Sequence, residues 1–397
     1  MSRILYKDDD DFIPIQIGPS HPAVHGTLPI YARLDGEIMA EVDLEIGYLH
    51  RGIEKLAESL TYHQFIPLTD RLNYVSPLIC NEAYCEAVEK LLGIAPPPRA
   101  VFLRVIMSEV SRIMDHITAT GPNFVDMGAL TVFWYSFKVR EELYRLVEMV
   151  SGARMTTCYP RIGGVVRDIP QDFIPKLKKV LEQLPPMIDD LMKMLKKNRI
   201  VLDRTMGVGV ISAEDAIEYG FSGPCLRACG VPRDLRVDEP YACYDQVEFD
   251  VVVGSSGDTY DRIMVRFEEM LQSRRIILQL LEKLPDGPVV IDDPRVILPP
   301  KQQVYQTAEG LIHHFNLVLE GIDDIPVGEI YHAVEGANGE FGFYIVSRGK
   351  KSPWRLHLRA PCFAIYQAFP QMITGRMISD AIITLGSLNI VAGELDR

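Results

Sequence analysis

The apolar residues of this 397-residue chain change their spacing at Arg51, and this change constrains the fold more than any other feature. Before it, residues 12–50 alternate apolar and polar side chains as strands do, and Asp35-Gly36 is typical of a tight hairpin turn. After it, the apolar period approaches that of a helix. Helices are expected at 51–60, 69–92, 100–121, 128–151, 171–196 and 257–283.

Proline-rich segments separate these predicted helices. Pro96–Pro98 precede the third helix, Gly121-Pro122 follow it, and Ile169-Pro170 precede the fifth. Several of the helices exceed about 20 residues and have a wide apolar face, which is typical of long helices buried against one another. Beyond Pro285 the pattern is mixed. It predicts a helix at 303–318, a hairpin joined through Gly349-Lys350-Lys351 and a last helix at 363–385.

Together these patterns predict an α+β fold with a long-helix bundle at its core. We expect an N-terminal antiparallel β-sheet region over residues 1–50, the helical bundle core over 51–284, and a C-terminal mixed α/β region over 285–397. The sequence has no internal repeat and no low-complexity linker. A single helical core with flanking β segments is therefore expected.

The charge balance and hydropathy exclude several classes of function. Asp plus Glu (54) exceed Lys plus Arg (41), the net charge is −13 and no basic tract is present, so no nucleic-acid partner is expected. The longest apolar run, 381–392, is shorter than the roughly 18 residues of a membrane-spanning helix. The N-terminus has acidic residues where a secretory signal has its apolar core, so we expect the chain to remain on the cytosolic side.

The cysteines show no spacing suited to a metal site or a disulfide framework. Seven are present, at positions 80, 85, 158, 225, 229, 243 and 362, and none forms a C-x-x-C pair. We therefore expect buried or incidental thiols and no metal held by this chain. Glycine-rich nucleotide motifs and a G-x-S-x-G elbow are also missing from the sequence, so neither a bound NAD or ATP nor a common hydrolase is predicted.

Two histidines in the segment Gly18–Thr27 are the first candidates for chemistry. His21 and His25 lie close in sequence, but Pro22 and Gly26 favour a loop over the helix that a metal-binding pair would need. A loop histidine suits proton exchange, because its unperturbed pKa is about 6.5. The alternative is that both imidazoles only hydrogen-bond a turn.

Three further clusters contain side chains that could exchange protons or act on an electron carrier. Tyr74 ends the cluster Asp70–Tyr74, near the predicted start of a long helix, where the alternative role is core packing. Asp126 precedes an apolar helix, and the alternative is an acid that stabilises the helix N-terminus. Arg51, in the cluster Tyr48–Lys55, either caps a strand or pairs with a nearby acid, unless it faces a buried electron carrier.

In this order and spacing, the four clusters resemble the D-type subunit family of NADH:quinone oxidoreductase, respiratory complex I. The resemblance extends from about Ile15 to Arg397. Its motifs, in chain order, are GPSHPAVHG, YLHRGIEKL, DRLNYVSPL, NEAYCEAVEKLLGI, SEVSRIMDHI, DMGALTVF, SGARM, RIGGV, SGPCLRACGV, GEFGFYIV through RAP, and GELDR.

The resemblance implies a fold like that of the large subunit of nickel–iron hydrogenases, from which this family descends. In those proteins two C-x-x-C pairs hold the metal centre. At the corresponding places this chain has HRGIEK and NIVAGELDR, which contain no cysteine. A hydrogenase active site is therefore excluded by the loss of its ligands.

The resemblance also implies an enzyme component of the proton-translocating NADH:quinone oxidoreductase, active only in the assembled complex. The chain is expected to form the quinone-headgroup site with the partner that holds the terminal 4Fe–4S cluster. The C-type subunit of the peripheral arm and the H-type subunit of the membrane arm are further expected partners, and the location implied is the cytoplasmic side of the cell membrane. The quinone, menaquinone or ubiquinone, is the substrate of this electron and proton transport.

Individual roles follow from the same resemblance. His25 and Tyr74 would hydrogen-bond the two sides of the quinone head and supply protons to it. Asp126 would pair with His25, and His21 would also contact the quinone. Arg51 would lie beside the partner's cluster and raise its electron affinity.

Two positions depart from the family pattern, and two other interpretations stay open. Asn73 occupies a position where relatives often have Asp, and Thr156 one where many have His. The same quinone-site role in a complex fed by ferredoxin or a deazaflavin would produce a similar chain. A non-catalytic scaffold of the peripheral arm is the third possibility.

Overall fold

The computed structural model describes residues 12–397 and begins with a three-stranded antiparallel sheet, as the alternating pattern predicted. Its strands, in spatial order, are β1 (Ile13–Ile17), β2 (Ile30–Asp35) and β3 (Ile38–Leu44). The predicted hairpin turn is confirmed, since Asp35 pairs with Ile38 and Gly36 adopts a positive φ of 59°. The acidic N-terminal segment, residues 1–11, lies outside the described residues.

Helices make up most of the regular structure that follows. In chain order they are α1 (Ile53–Ala57), α2 (Tyr62–Thr69), α3 (Pro77–Leu92), α4 (Pro98–Asp126), α5 (Leu130–Ser151), α6 (Phe173–Leu181), α7 (Leu184–Leu195), α8 (Arg199–Thr205), α9 (Ala213–Glu218), α10 (Gly223–Ala228), α11 (Leu235–Asp238), α12 (Thr259–Lys283), α13 (Lys301–Gln306), α14 (Ala308–Phe315), α15 (Pro361–Gln367), α16 (Phe369–Ile373), α17 (Ile378–Leu388) and α18 (Ala392–Leu395). A 3-10 turn lies at Tyr244–Gln246 and a π-helical turn at Asn316–Glu320.

Two smaller sheets complete the architecture. The strands β4 (Pro160–Arg161) and β5 (Gly164–Val165) form a short hairpin, and β6 (Val327–Glu335), β7 (Glu340–Arg348) and β8 (Arg355–Arg359) form a second antiparallel sheet. The predicted hairpin through Gly349-Lys350-Lys351 joins β7 to β8. Mixed helices and small antiparallel sheets confirm the predicted α+β class.

The long helices α3, α4, α5 and α12 form the interior, close to their predicted positions. The helix α4 packs against both α5 and α12 and is buried along nearly its whole length. Gly93 and Gly152, both in the left-handed conformation, end α3 and α5. Pro98 starts α4, where its lack of an N–H costs no hydrogen bond because N–H groups in the first turn have no partner within the helix.

Several predicted helices differ from the observed ones. The helix predicted at 303–318 is divided at Thr307 into α13 and α14. The helix α4 continues through Gly121-Pro122, because the missing side chain of Gly121 lets Phe137 of α5 approach closely. The single helix predicted at 171–196 is divided into α6 and α7, next to Pro185-Pro186. The last predicted helix is likewise divided into α15, α16 and α17. The helix predicted from residue 69 begins only at Pro77, so Tyr74 lies in a turn.

Two hydrophobic cores underlie this arrangement. The larger core lies between the long helices and the second sheet. The smaller one joins the first sheet to α15, α16 and α17 and contains Ala23, Val24, Val75 and Val391. Each core contains residues from more than one of the predicted regions 1–50, 51–284 and 285–397. The division of the chain into these three regions remains a prediction. The candidate site lies at the smaller core, where the loop after β1 meets the C-terminal segment.

Candidate functional site

The loop between β1 and β2 is fixed by backbone hydrogen bonds at both ends of the histidine segment. The N–H of Leu28 donates to the carbonyl of Pro19 over 2.7 Å, which closes the loop. The N–H of His25 donates to Ile390, and the carbonyl of His25 accepts from Ala392, at 3.1 and 2.9 Å. The loop is thereby attached as a parallel bridge to the chain's last residues.

His25 and Tyr74, predicted from separate clusters, are brought together by this arrangement. The hydroxyl of Tyr74 donates a hydrogen bond to the backbone carbonyl of His25. Between them, Gly26 has a φ of 124°, and a Cβ there would lie 2.5 Å from the Cβ of Ala392 and 2.8 Å from the Tyr74 oxygen. Only glycine fits this contact without displacing the phenol. Burial raises the pKa of Tyr74, so the phenol keeps its proton near neutral pH.

The imidazole of His25 faces inward, towards polar side chains of the helical interior. Burial lowers its pKa, and the negative charge of Asp115 and the polar side chain of Asn389 oppose that shift. The positive charges of Arg140 and Arg266 lower the pKa further. His25 is therefore more easily deprotonated than a free histidine.

Asp126 lies in a different part of the site from the one that the sequence suggested. It is half-buried at the end of α4 and lines a cavity of about 280 Å³ with His21 and Arg204. Burial raises the pKa of Asp126, while the charge of His21 lowers it. The expected pairing of Asp126 with His25 is not made: within residues 12–397, no hydrogen bond or ion pair joins them, and the histidine that lines the cavity of Asp126 is His21.

His21 also has a simple structural role. Its Nδ1 accepts a hydrogen bond from the N–H of Ala23 over 3.1 Å, which stabilises the turn. The alternative raised for both histidines, a turn-bonding imidazole, thus describes His21 and not His25. His21 remains partly exposed to the Asp126 cavity.

Arg51 connects the segment after β3 to the chain's C-terminus. Its Nη2 donates to the carbonyls of Arg71 and Gly393, at 2.7 and 3.2 Å. Nearby, the carboxylate of Asp396 accepts from the N–H groups of Gly47 and Leu49. Burial lowers the pKa of Arg51, and its Nε has no partner in the described part of the chain.

A buried acid next to Tyr74 was not predicted. Glu394 accepts a hydrogen bond from the N–H of Cys362 over 3.2 Å and interacts with the Asn73 amide. Burial raises the pKa of Glu394 to about 7, a value suited to proton exchange at neutral pH. A signal existed in the sequence, because Glu394 is the first acid after the apolar run 381–392.

The departure at Asn73 has a local explanation. Its Oδ1 accepts from the N–H groups of Val75 and Ser76, at 3.2 and 3.1 Å, which forms the turn before α3. Its amide also stabilises the charged form of Glu394, which requires an N–H that an aspartate lacks. An asparagine at position 73 therefore suits the buried acid Glu394 better than an aspartate would. Thr156 is exposed and has a positive φ of 49°, and its hydroxyl bonds only the carbonyl of Met155.

The described residues contain no group of three or more His, Cys, Asp or Glu side chains that could hold a metal ion. All seven cysteines are free, and all except Cys158 are buried. In the same part of the chain, no helix combines the length and apolarity needed to cross a bilayer.

Comparison with known proteins places the chain in a class. Residues 126–397 match the family described as "Respiratory-chain NADH dehydrogenase, 49 Kd subunit". The chain therefore belongs to the 49 kDa subunit family of the respiratory-chain NADH dehydrogenase, a component of NADH:quinone oxidoreductase.

Similar proteins narrow that class to one component. The chain is 49% identical to the D-type subunit of the NADH-quinone oxidoreductase of Leptospira biflexa, over 98% of this chain and 96% of the relative. It is 48% identical to the D-type subunit of Myxococcus xanthus, over 96% and 92%. A relative in Bdellovibrio bacteriovorus, 50% identical over 98% of this chain and 69% of its own length, has a name that joins the C-type and D-type subunits. These findings confirm the predicted family and enzyme class.

Proposed function

We propose that this chain forms the quinone-headgroup site of NADH:quinone oxidoreductase and supplies protons to the quinone. One observation carries the proposal: the hydroxyl of Tyr74 is bonded to the backbone of His25, so a phenol and an imidazole share one site. Two different proton-bearing side chains suit a substrate with two carbonyl oxygens.

The chemistry requires two electrons and two protons for each quinone reduced to a quinol. We propose that a 4Fe–4S cluster on a partner protein delivers the electrons. This chain's residues would then hydrogen-bond the two carbonyl oxygens as they gain negative charge, His25 on one side and Tyr74 on the other. Tyr74 suits this role because burial keeps its hydroxyl protonated at neutral pH. His21 and Asp126 line a cavity together, where they would contact the quinone.

Arg51 would lie beside the partner's cluster. Its guanidinium is held by the carbonyls of Arg71 and Gly393, a position that joins the two segments HRGIEK and GELDR. In hydrogenase large subunits the corresponding segments supply cysteine ligands. We propose that this fold derives from theirs and that the hydrogen bonds of Arg51 and Asp396 take the structural place of the lost metal.

The partners proposed are the protein that holds the terminal cluster, the C-type subunit, and the H-type subunit of the membrane arm at the quinone cavity. Support for the C-type partner comes from the relative of Bdellovibrio bacteriovorus, whose name joins the C-type and D-type subunits. The chain would lie in the peripheral arm, on the cytoplasmic side of the cell membrane. Whether NADH, ferredoxin or a deazaflavin feeds the electrons depends on other components of the complex.

The test uses the assembled complex with the substitutions Tyr74→Phe and His25→Ala. Each should lower quinone reduction by at least about tenfold, the loss expected when a positioned acid is removed. Electron transfer from NADH to ferricyanide, which bypasses the quinone, should be unchanged. Tyr344→Phe and His314→Ala, on tyrosine and histidine residues outside the site, are matched controls and should keep normal turnover.

Unaltered quinone reduction in both Tyr74→Phe and His25→Ala would contradict the proposal. That result would favour a non-catalytic scaffold of the peripheral arm. Assembly on native gels distinguishes a lost catalytic group from a lost complex.

A further inference from the structure

The carboxylate of Asp115 differs from the other buried acids of α4 because no arginine or lysine pairs with it in the described part of the chain. Its side chain has no exposed surface. Its Oδ1 accepts from the Nδ2 of Asn389 over 2.7 Å, and its Oδ2 has no partner among residues 12–397. By contrast, Glu109 on the same helix pairs with Arg112 and Arg236. The Nδ1 of His116 lies 4.0 Å from the Oδ1 of Asp115, but burial lowers the pKa of that imidazole. A buried carboxylate without an arginine or lysine partner is costly, so the position of Asp115 calls for an explanation.

The amide of Asn389 connects this carboxylate to His25. Its Nδ2 donates to both Asp115 and the Oδ1 of Asn338, each at 2.7 Å. Both of these atoms are acceptors, since the Oδ1 of Asn338 also accepts from Arg266. The orientation of the amide is thereby fixed, and its Oδ1 makes no hydrogen bond among residues 12–397. The Asn389 side chain nevertheless acts on His25, because it raises the pKa of the imidazole. Asn389 holds this geometry at the end of α17, in a left-handed conformation that asparagine tolerates.

Charges from several elements act on this group. His25 is subject to the negative charge of Asp115 and to the positive charges of Arg140 on α5 and Arg266 on α12. Arg140 is held over the rings of Phe137 and Tyr144, and it donates to the Tyr144 hydroxyl. The other titratable groups that interact with Asp115 are Cys80, His116, Tyr144, Cys362 and Glu394.

We propose that Asp115 is a positioning residue for quinone reduction, whose carboxylate acts through the Asn389 amide to hold the negative charge that lets His25 be protonated. The inference rests on the proposed function of His25. It assigns this task to Asp115, which acts on the pKa of His25, because Asp126 lines a cavity with His21 and acts on no atom of His25. The proton that His25 donates to the quinone is thereby balanced by a fixed charge beneath it.

The experiment compares variants of the assembled complex over a range of pH. Quinone reduction is measured with a short-chain quinone analogue from about pH 5.5 to pH 9, a range that brackets histidine titration. In Asp115→Asn, the alkaline limb should move to lower pH by about one pH unit, because the compensating charge is lost. In Arg140→Gln, which removes an opposing positive charge, the limb should move to higher pH.

A double variant provides the rescue. Asp115→Asn combined with Asn389→Asp exchanges the two side chains, keeps one carboxylate beside His25 and should return the limb towards its original pH. If the role of Asp115 were purely structural, Asp115→Asn would lower activity equally at every pH. The alkaline limb would then not move in opposite directions in Asp115→Asn and Arg140→Gln. Ferricyanide reduction by NADH reports that each complex is assembled.

The outcomes separate the two proposals. If His25→Ala abolishes quinone reduction but the limb stays in place in both Asp115→Asn and Arg140→Gln, the role of Asp115 is wrong and that of His25 stands. If His25→Ala reduces quinone normally, the proposed function itself is wrong. If Asp115→Asn does not assemble, the test uses Arg140→Gln and the double variant Asp115→Asn with Asn389→Asp. The role of Asp115 is supported if the alkaline limb moves to higher pH in Arg140→Gln and stays near its original pH in the double variant, and it is contradicted otherwise.

Discussion

Buried acids pair with arginine in the helical interior, whereas buried acids at the candidate site lack an arginine or lysine partner among the described residues. In the interior, Arg227 contacts Glu269 and Glu335, each over 2.8 Å, and none of these side chains reaches solvent. At the site, Asp115 and Glu394 are equally buried but pair with no arginine or lysine among the described residues. The interior acids are neutralised by arginines that hold the helices in register, whereas the two site acids have no such partner.

The pKa directions express the same contrast. The pKa of Glu269 is lowered: burial acts to raise it, but Arg227 and His116 outweigh that effect. The pKa of Glu394, for which burial is the largest cause, is raised to about 7. Burial also raises the pKa of Asp70, 3.9 Å from the exposed Arg71, to about 6. Groups that titrate near neutral pH thus collect around Tyr74, where a proton-coupled reaction would use them.

The largest effect should come from breaking an interior pair. Arg227→Met would remove the arginine that pairs with both Glu269 and Glu335 and would leave Glu269 with only His116 as a basic neighbour within 4.0 Å among the described residues. Breaking a buried pair in this way typically costs about 3–5 kcal/mol of stability. We expect little assembled complex on native gels. Arg145→Met, which removes an exposed arginine that pairs with Glu142, should assemble normally. A normal yield of assembled complex from the Arg227→Met variant would show that assembly does not require these buried ion pairs.

Changing the contact between His25 and Tyr74 without removing either should have the next largest effect. In Gly26→Ala, the new methyl group would collide with Ala392 and the Tyr74 hydroxyl. Overpacking of this kind costs about 1–3 kcal/mol, so we expect quinone reduction to fall by about tenfold or more.

Gly36→Ala is the matched control for this substitution. Gly36 also has a positive φ, but a Cβ there would meet nothing within 4 Å. Its substitution should cost about 1 kcal/mol of stability and leave turnover unchanged. Equal losses of activity in both variants would mean that the site does not depend on the glycine contact.

The role of Asn73 gives a smaller, testable effect. Asn73→Asp removes the N–H that interacts with Glu394 and adds a second acid, which should cost about 1–2 kcal/mol and reduce turnover several-fold. The control is Asn198→Asp, at the start of α8. There the side chain accepts from Ile200 and Val201 in the same geometry but is exposed, so aspartate should be tolerated. Thermal inactivation of the two complexes provides the measurement.

The smallest effect is a change in the pH dependence of stability. Because the pKa of Glu394 is raised to about 7 on folding, the folded chain binds the extra proton, and stability should fall as pH rises through that value. Glu394→Gln should remove this loss. We expect its temperature of half-inactivation to exceed that of the original complex by about 2 °C at pH 8 and to match it at pH 5. Identical curves at both pH values would show that Glu394 does not titrate.

Much of the fold could be predicted because local patterns decide it. Alternation predicted the first sheet and the Asp35-Gly36 turn, and the helical period predicted the long helices near their observed ends. Proline was a weaker guide. Pro122 lies inside α4 because packing against α5 outweighs its missing hydrogen bond, a balance that only the folded neighbours determine.

The site could be predicted only in part. His25 and Tyr74 were identified from motifs, and the fold brings them together. Motifs could not predict whether Asp126 pairs with His25, because the direction of a loop histidine's side chain depends on the residues that pack against it. Glu394 and Asp115 were missed, since the hydrogen-bond partner of each lies far away in the sequence.

By itself, the sequence determined the secondary structure of the long segments, the absence of cysteine pairs and the family, because these are properties of residue order. The tertiary structure alone decided which acid acts on which histidine. Asp115 and Asn389 are 274 residues apart and meet at 2.7 Å beneath His25. Such a contact depends on how α4, α17 and the β1–β2 loop pack, because the effect of one charge on another depends on the distance between them and on how far water is excluded.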